Sequence, residues 1–212
     1  MAKYPIFLEL TGRRAVVIGS GSVAVRKVQT LLGAGARVVV VAERISDMMT
    51  AVCAEAGAEL VKARYSKSYL TGALLAIAAT NNRELNKQIY KDCQELEILC
   101  NVVDVPELCD FFVPAVVKRG SLQIAVGTDG QSPAYAGHIR KKLEQMFTEK
   151  HGEFLAELEA LRERVIEEVE KPGDRKAVFG ELADDKSFER FIEDGPAAWR
   201  DRAEEIISLH KS

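Results

Sequence analysis

The 212-residue sequence predicts an α/β protein with a doubly wound parallel sheet over about residues 1–113, a small α+β module over 114–150 and a helical segment over 151–212. Short apolar, β-branched runs alternate with stretches of helical periodicity, which is the βαβ pattern of a parallel sheet. A glycine-rich turn joins the first run to the first helical stretch. Beyond residue 150 the runs stop and apolar residues recur at helical spacing among Glu and Arg.

The strand runs are Arg14-Ala-Val-Val-Ile18, Arg37-Val-Val-Val-Val41, Leu74-Leu-Ala-Ile-Ala78 and Ile98-Leu-Cys-Asn-Val-Val103. Between them, helices are expected over 23–32, with Val28, Leu31 and Leu32 on one face, and over 45–56 and 83–95. Phe111-Phe-Val-Pro-Ala-Val-Val117 and Ser121-Leu-Gln-Ile-Ala-Val126 flank a Gly-containing turn and read as an antiparallel hairpin. Ser132 reads as an N-cap with Pro133 at the first helical position, leading a helix whose apolar stripe is Ile139, Leu143, Met146 and Phe147. Phe154, Leu155, Leu158, Leu161, Val165, Ile166 and Val169 mark the next helix, which Lys171-Pro-Gly-Asp174 breaks. Two shorter helices are expected over 186–194 and 197–210, and the whole tail reads as a solvated helical subdomain without a catalytic role.

Composition narrows the function. At 47% hydrophobic with a formal net charge of -3, the chain has ample core and is not of the disordered class. Four cysteines, Cys53, Cys93, Cys100 and Cys109, form no C-x-x-C pair, so neither a disulfide scaffold nor a zinc site of the usual spacing is expected. Reduced thiols suit a cytoplasmic protein. No signal peptide or membrane-spanning stretch is legible, and the slightly acidic balance argues against general nucleic-acid binding.

The strongest chemical signal is Gly19-Ser-Gly-Ser-Val-Ala24, a G-x-G-x-x-A that follows the first strand and opens the first helix. Gly19 permits the tight turn, Gly21 lets backbone approach a pyrophosphate, and Ala24 permits close helix–strand packing. The helix N-terminus, at Ser22 and Val23, offers amides and a positive dipole end to phosphates. Glu43, after the second strand, is placed to accept hydrogen bonds from the ribose hydroxyls and to repel a 2′-phosphate, which favours NAD, whereas Arg44 beside it would suit the phosphate. The alternative for the glycines is an ordinary strand-to-helix turn, and dinucleotide binding is the favoured reading.

Asp104, in Asn101-Val-Val-Asp-Val-Pro106, lies beyond the carboxyl end of the last strand run, where α/β sheets bind ligands. Asp near Pro is equally ordinary turn chemistry, and pattern alone leaves the two readings level. Lys118, Arg119, Arg140, Lys141 and Lys142, with His138 and the helix start at Ser132, form a basic stretch that is either a solvated face or a polyanion site. Cys100 and Cys109 flank Asp104 with no histidine nearby, so buried thiols are favoured over a nucleophile.

Pro5-Ile-Phe, the Val16-to-Lys27 segment, Ala76-Ile-Ala-Ala-Thr-Asn81, Cys100-Asn-Val-Val-Asp104 and Ser132-Pro133 occur together in the order found in one family. Over about residues 1–150 the chain resembles the precorrin-2 dehydrogenase/sirohydrochlorin ferrochelatase family of sirohaem synthesis, in its free-standing form, and the N-terminal part of sirohaem synthase. No methyltransferase segment follows, so methylation is expected of another chain. The resemblance implies a Rossmann domain, a dimerisation domain with strands shared between two protomers, and a helical C-terminal domain. It implies oxidation of precorrin-2 to sirohydrochlorin by NAD+, and in many members insertion of Fe2+ as a substrate. It places the key carboxylate on Asp104 and cofactor contacts on Gly21, Ser22, Val23, Glu43, Arg44, Thr80 and Asn81, beside Gly19 of the motif. The many carboxylates of such a substrate give the basic stretch a use, with Arg119, Ser132 and Arg140 as the expected anchors, and no resident metal is expected. Where many relatives carry Ser-Gly-Gly-Thr-Ser-Pro this chain has Thr128-Asp-Gly-Gln-Ser-Pro133, and Gly137 with His138 stands where relatives often have an arginine, so metal insertion is the less secured half of the activity. The competing readings are an NAD-binding sensor module and a non-catalytic tetrapyrrole-binding protein.

Overall fold

Side-chain alternation along the strands builds the first half of the protein. The computed structural model describes residues 3–211, which divide into two units meeting between Val113 and Pro114. In the first, β1 (Arg14–Ile18), β2 (Arg37–Ala42), β3 (Glu59–Lys62), β4 (Leu75–Ala78) and β5 (Leu99–Val102) form one parallel sheet in the order β3-β2-β1-β4-β5. Because successive side chains point to opposite faces, Ala15, Val17, Val38, Val40 and Ile77 go to one face. There they meet Ala24, Val25 and Val28 of α1 (Ser22–Gly33) and Met49 and Cys53 of α2 (Asp47–Ala56). Val16, Ile18, Val39, Val41, Ala76 and Cys100 go to the other, against Ile89 and Cys93 of α3 (Arg83–Glu95). The near-continuous apolar strands are thus explained by helices on both faces.

Four strand runs are where the sequence puts them. β3 was not among the runs: Glu59-Leu-Val-Lys62 is a half-buried edge strand with a charge at each end, so it carries no apolar run. The opposite edge, β5, is closed by its own downstream chain. Asp110 N–H donates to Cys100 O at 2.8 Å, Cys100 N–H donates to the Asp110 carboxylate at 2.8 Å, and Asn101 bridges Cys109 in antiparallel fashion. Covering an edge in this way leaves it no free ladder to offer another chain.

The second unit begins with the hairpin β6 (Ala115–Arg119) and β7 (Leu122–Val126), turned at Gly120 with φ of 57°. The first hairpin strand starts at Ala115 rather than near Phe111, because the Phe111 carbonyl is taken by the Asn101 side chain. α4 (Pro133–Met146) starts as expected, with Ser132 Oγ accepting from Tyr135 N–H at 3.2 Å. Its stripe is narrower than expected: Ile139, Leu143 and Phe147 are half-buried and Met146 is exposed.

α5 (Glu149–Glu168) is followed by α6 (Pro172–Leu182), α7 (Asp185–Glu193) and α8 (Gly195–Leu209). The Pro-Gly break therefore also starts a helix, α6, that the sequence reading lacked, since Pro172 sits at its first position, where no N–H is needed. Phe154, Val165, Val178, Leu182, Phe191, Trp199 and Ile207 form one core, in which the Trp199 indole N–H donates to Ser187 Oγ at 2.8 Å. Ile166 stands outside it, exposed. Among the described residues no helix is long and apolar enough to cross a membrane.

Gly152 of α5 lies against the hairpin turn so closely that a Cβ there would stand 2.8 Å from the Arg119 carbonyl carbon and oxygen. Backbone cannot yield as a flexible side chain does, so Gly152→Ala is expected to destabilise this unit by about 1–3 kcal/mol. Urea unfolding followed by Trp199, the single tryptophan, checks this.

Candidate functional site

Gly19 decides the geometry at the carboxyl end of the sheet. Its φ is 122°, and a Cβ would stand 2.2 Å from Ala79 O, so the turn after β1 touches backbone just beyond β4. No side chain fits there. Gly21, the N-cap of α1, has nothing within 4 Å of its Cβ position, so its backbone faces open space. No side chain caps α1 and its first turn holds no acidic residue. The amides at Ser22 and Val23 therefore meet an approaching anion without competition. Ser20 ties this turn to α2: Ser46 N–H donates to Ser20 Oγ at 2.7 Å and Ser46 Oγ donates to Ser20 O at 2.7 Å. Neither serine was singled out from the sequence, since reciprocal bonding across 26 residues leaves no local pattern.

Around the turn lies a cleft of about 540 Å³ lined by Gly19, Ser20, Gly21, Glu43, Arg44, Tyr65, Thr80 and Asn81, among others. The structure thus brings together six expected residues: Gly19, Gly21, Glu43, Arg44, Thr80 and Asn81. Ser22 and Val23 are not among its lining. Glu43 is exposed at the rim and pairs loosely with Arg64 at 3.6 Å. The Thr80 hydroxyl donates to Asn86 Oδ1 at 2.6 Å while Asn86 Nδ2 donates to Thr80 O at 3.0 Å, so the buried Asn86 fixes the turn after β4.

Tyr65 is a second lining residue that sequence reasoning missed, after Ser20. Its hydroxyl donates to Asp92 at 2.8 Å, and Gln88 Nε2 donates to the other Asp92 oxygen at 2.9 Å. Burial and this bond to a carboxylate push the Tyr65 ionisation well up, so the ring stays neutral and fixed. The open backbone at Gly21, the uncapped helix and the carboxylate rim fit a dinucleotide.

Asp104 lies apart from this lining. It is exposed, on the turn after β5, with φ of 61°. Lys27 of α1 lies within electrostatic reach of Asp104 and Cys109. Burial lowers the Lys27 ammonium pKa, and Arg26 lowers it further, while Cys109 and Asp104 oppose the shift. The thiols are poor nucleophiles: a hydrogen bond with Cys93 and burial raise Cys100, and burial raises Cys109 and Cys53. Among the described residues no cluster of three His, Cys, Asp or Glu is placed to hold a metal.

In the second unit, the expected substrate anchors have structural employment. Arg119 Nε donates to Phe147 O at 2.8 Å and Nη2 to Glu144 O at 3.2 Å, capping the end of α4, and the side chain is only 17% exposed. Arg140 pairs with Glu144 one turn on, and Ser132 caps α4. Lys118, Lys141, Lys142 and His138 remain exposed.

A doubly wound sheet with an open-glycine turn and a carboxylate rim defines a nucleotide-binding α/β protein. Residues 6–115 match the family model described as "Putative NAD(P)-binding", and residues 119–146 match the one described as "Sirohaem biosynthesis protein central". The chain belongs to this NAD(P)-binding family, in the form that continues into the sirohaem-biosynthesis central segment. It is 38% identical to a siroheme synthase of Psychrobacter arcticus over 152 residues, 72% of this chain and 28% of that protein. It is 35% identical to a siroheme synthase of Pseudomonas putida over 199 residues, 94% of this chain and 41% of that one. The chain thus spans well under half the length of these curated relatives. Its fold matches that of "SirC, precorrin-2 dehydrogenase" with a TM-score of 0.78 at 23% identity, covering 96% of this chain and all of that one.

Removing the Tyr65 hydroxyl strips the buried Asp92 of a donor. Tyr65→Phe is therefore expected to cost about 1–3 kcal/mol of stability, measured by urea unfolding under far-UV circular dichroism.

Proposed function

We propose that this chain is the NAD-dependent dehydrogenase of sirohaem synthesis, oxidising precorrin-2 to sirohydrochlorin. The observation that carries the reading is the cleft around Gly19 and Gly21, with Glu43 on its rim, in a chain that also matches the sirohaem central segment. Bound NAD+ supplies the hydride acceptor. The amides of Ser22 and Val23 hold the pyrophosphate, Glu43 accepts from the ribose hydroxyls, Arg44 flanks it, and Thr80 and Asn81 border the cofactor's other half. The substrate loses one hydride and one proton overall, and Asp104 is the carboxylate that takes the proton.

The same carboxylate would serve metal insertion, which must remove two pyrrole N–H protons as Fe2+, a substrate, enters the macrocycle. That lyase activity is the second part of the proposal. Because Arg119 and Arg140 are engaged within their own unit, the substrate's carboxylates fall to Lys118, Lys141, Lys142 and the start of α4 at Ser132. Among the described residues no further strand pairs with either edge of the two-stranded hairpin. We therefore read 114–150 as a dimerisation module, completed by a second copy, between the cofactor domain 1–113 and the helical domain 151–212. Three buried free thiols, Cys53, Cys93 and Cys100, suit a reducing cytoplasm.

Purified protein mixed with precorrin-2 and NAD+ is expected to form NADH and sirohydrochlorin together; formation of neither overturns the reading. Asp104→Asn should lower kcat by about 10²- to 10⁴-fold while leaving NAD+ affinity intact. Glu43→Ala should weaken NAD+ about tenfold by removing a charged hydrogen-bond acceptor, and should narrow the preference over NADP+, as titration calorimetry with both cofactors would read.

A further inference from the structure

Asp104 sits on a turn that has little to hold it by burial. It is exposed, as are Pro106 and Glu107 that follow, yet its backbone is in the left-handed region, where an unsupported Asp would not settle into one conformation. The support comes from two side chains. Val105 N–H donates to Val102 O at 3.2 Å, closing the turn with Asp104 as its third residue, and Leu108 N–H donates to Val105 O at 3.0 Å. The Cys109 thiol, 3.3 Å from both Val102 O and Val105 O, is shared between the two ends of that turn. Asn101, buried at the end of β5, donates through Nδ2 to Phe111 O at 2.9 Å and lies 3.4 Å from Cys109 Sγ. The thiol is protonated and so able to donate, because burial holds its ionisation up.

We propose that Asn101 and Cys109 are positioning residues for Asp104: an amide–thiol clamp that ties the returning chain to both ends of the Asp104 turn and fixes the backbone from which the carboxylate projects. Neither residue needs to touch substrate or cofactor. The clamp accounts for two unusual side chains at this end of the sheet. Asn101 is a buried amide in a strand otherwise built of apolar side chains and Cys100, and Cys109 is a thiol too hard to ionise for nucleophilic work. Lys27 is the charged group that faces this turn from α1. The inference rests on the reading of Asp104 as the proton acceptor, and the two are separable by experiment.

The test is a double-mutant cycle with Asp104→Asn, Cys109→Ala, Cys109→Ser and the Asp104→Asn/Cys109→Ala pair, assayed for precorrin-2 oxidation. Cys109→Ala is expected to lower kcat at least about tenfold, as a misplaced reacting group does, with KM for NAD+ unchanged. Cys109→Ser, which keeps a donor at the same place, should recover most of that loss. The double variant should be no slower than Asp104→Asn alone, since the clamp acts only through Asp104. Unchanged turnover in Asp104→Asn overturns the reading of Asp104 itself. A slow Asp104→Asn beside an unimpaired Cys109→Ala, or additive losses in the pair, overturns the clamp. If Cys109→Ala does not fold, hydrogen exchange on the unaltered protein decides. A Val105 amide as protected as those of β5 supports the clamp, and exchange at the rate of an open loop overturns it.

Discussion

The contact between Gly19 and Ala79 O is the constraint on which the site depends. Two parallel strands, β1 and β4, end at the same level, and their following turns must diverge from one point. With no Cβ at residue 19, the turns touch and then part, one leading into α1 on one face of the sheet and the other into α3 on the opposite face. That parting is the topological switch point, and the cleft is the space it opens. Ser20–Ser46 and Thr80–Asn86 then fix the two turns independently, so the cleft's walls do not rely on a bound ligand for their shape.

The three buried polar residues described in the first unit, Asn86, Asp92 and Asn101, all have partners. Asn86 holds the turn after β4, Asp92 holds Tyr65 and Gln88, and Asn101 and Asp110 hold the chain that returns along β5. Each is a group whose burial or engagement would be costly if its partner were lost. Together they place rigidity where the sheet alone supplies none, in the loops at its carboxyl end. The second unit follows a different logic. Many of its charged residues answer one another within and between helices, as Arg164 does with Glu168 and Glu204 and Arg200 does with Glu157.

The sheet was legible because strands buried on both faces write themselves as apolar runs, and the glycine turn because its chemistry is local. β3 was not legible, being an edge with charged ends. α6 was hidden because Pro-Gly reads equally as a stop and as a start. Within the site, Gly19 and Glu43 could be placed from spacing, since each follows a strand end, and Thr80 from the family resemblance. Tyr65 and Ser46 could not, because their importance lies in partners 27 and 26 residues away. The basic stretch shows the converse, charge that is visible in sequence but already engaged in the fold. Arg119 and Arg140 looked available because charge is visible in sequence and its satisfaction is not. Arg119 in fact completes the end of α4, whose last carbonyls have no partner of their own.

The left-handed conformation of Asp104 has an evolutionary consequence. Glycine adopts that conformation without the steric penalty of about 1 kcal/mol that other residues meet there. A drift from Asp to Gly at this one codon would therefore leave the fold at least as stable and the dinucleotide cleft untouched, while deleting the acidic group. If Asp104 is the proton acceptor proposed above, thermodynamic stability does not guard this position against loss; only selection on turnover does. A lineage released from that selection would slide readily from catalyst to binding protein, and residue 104 would be the first place to look for the change.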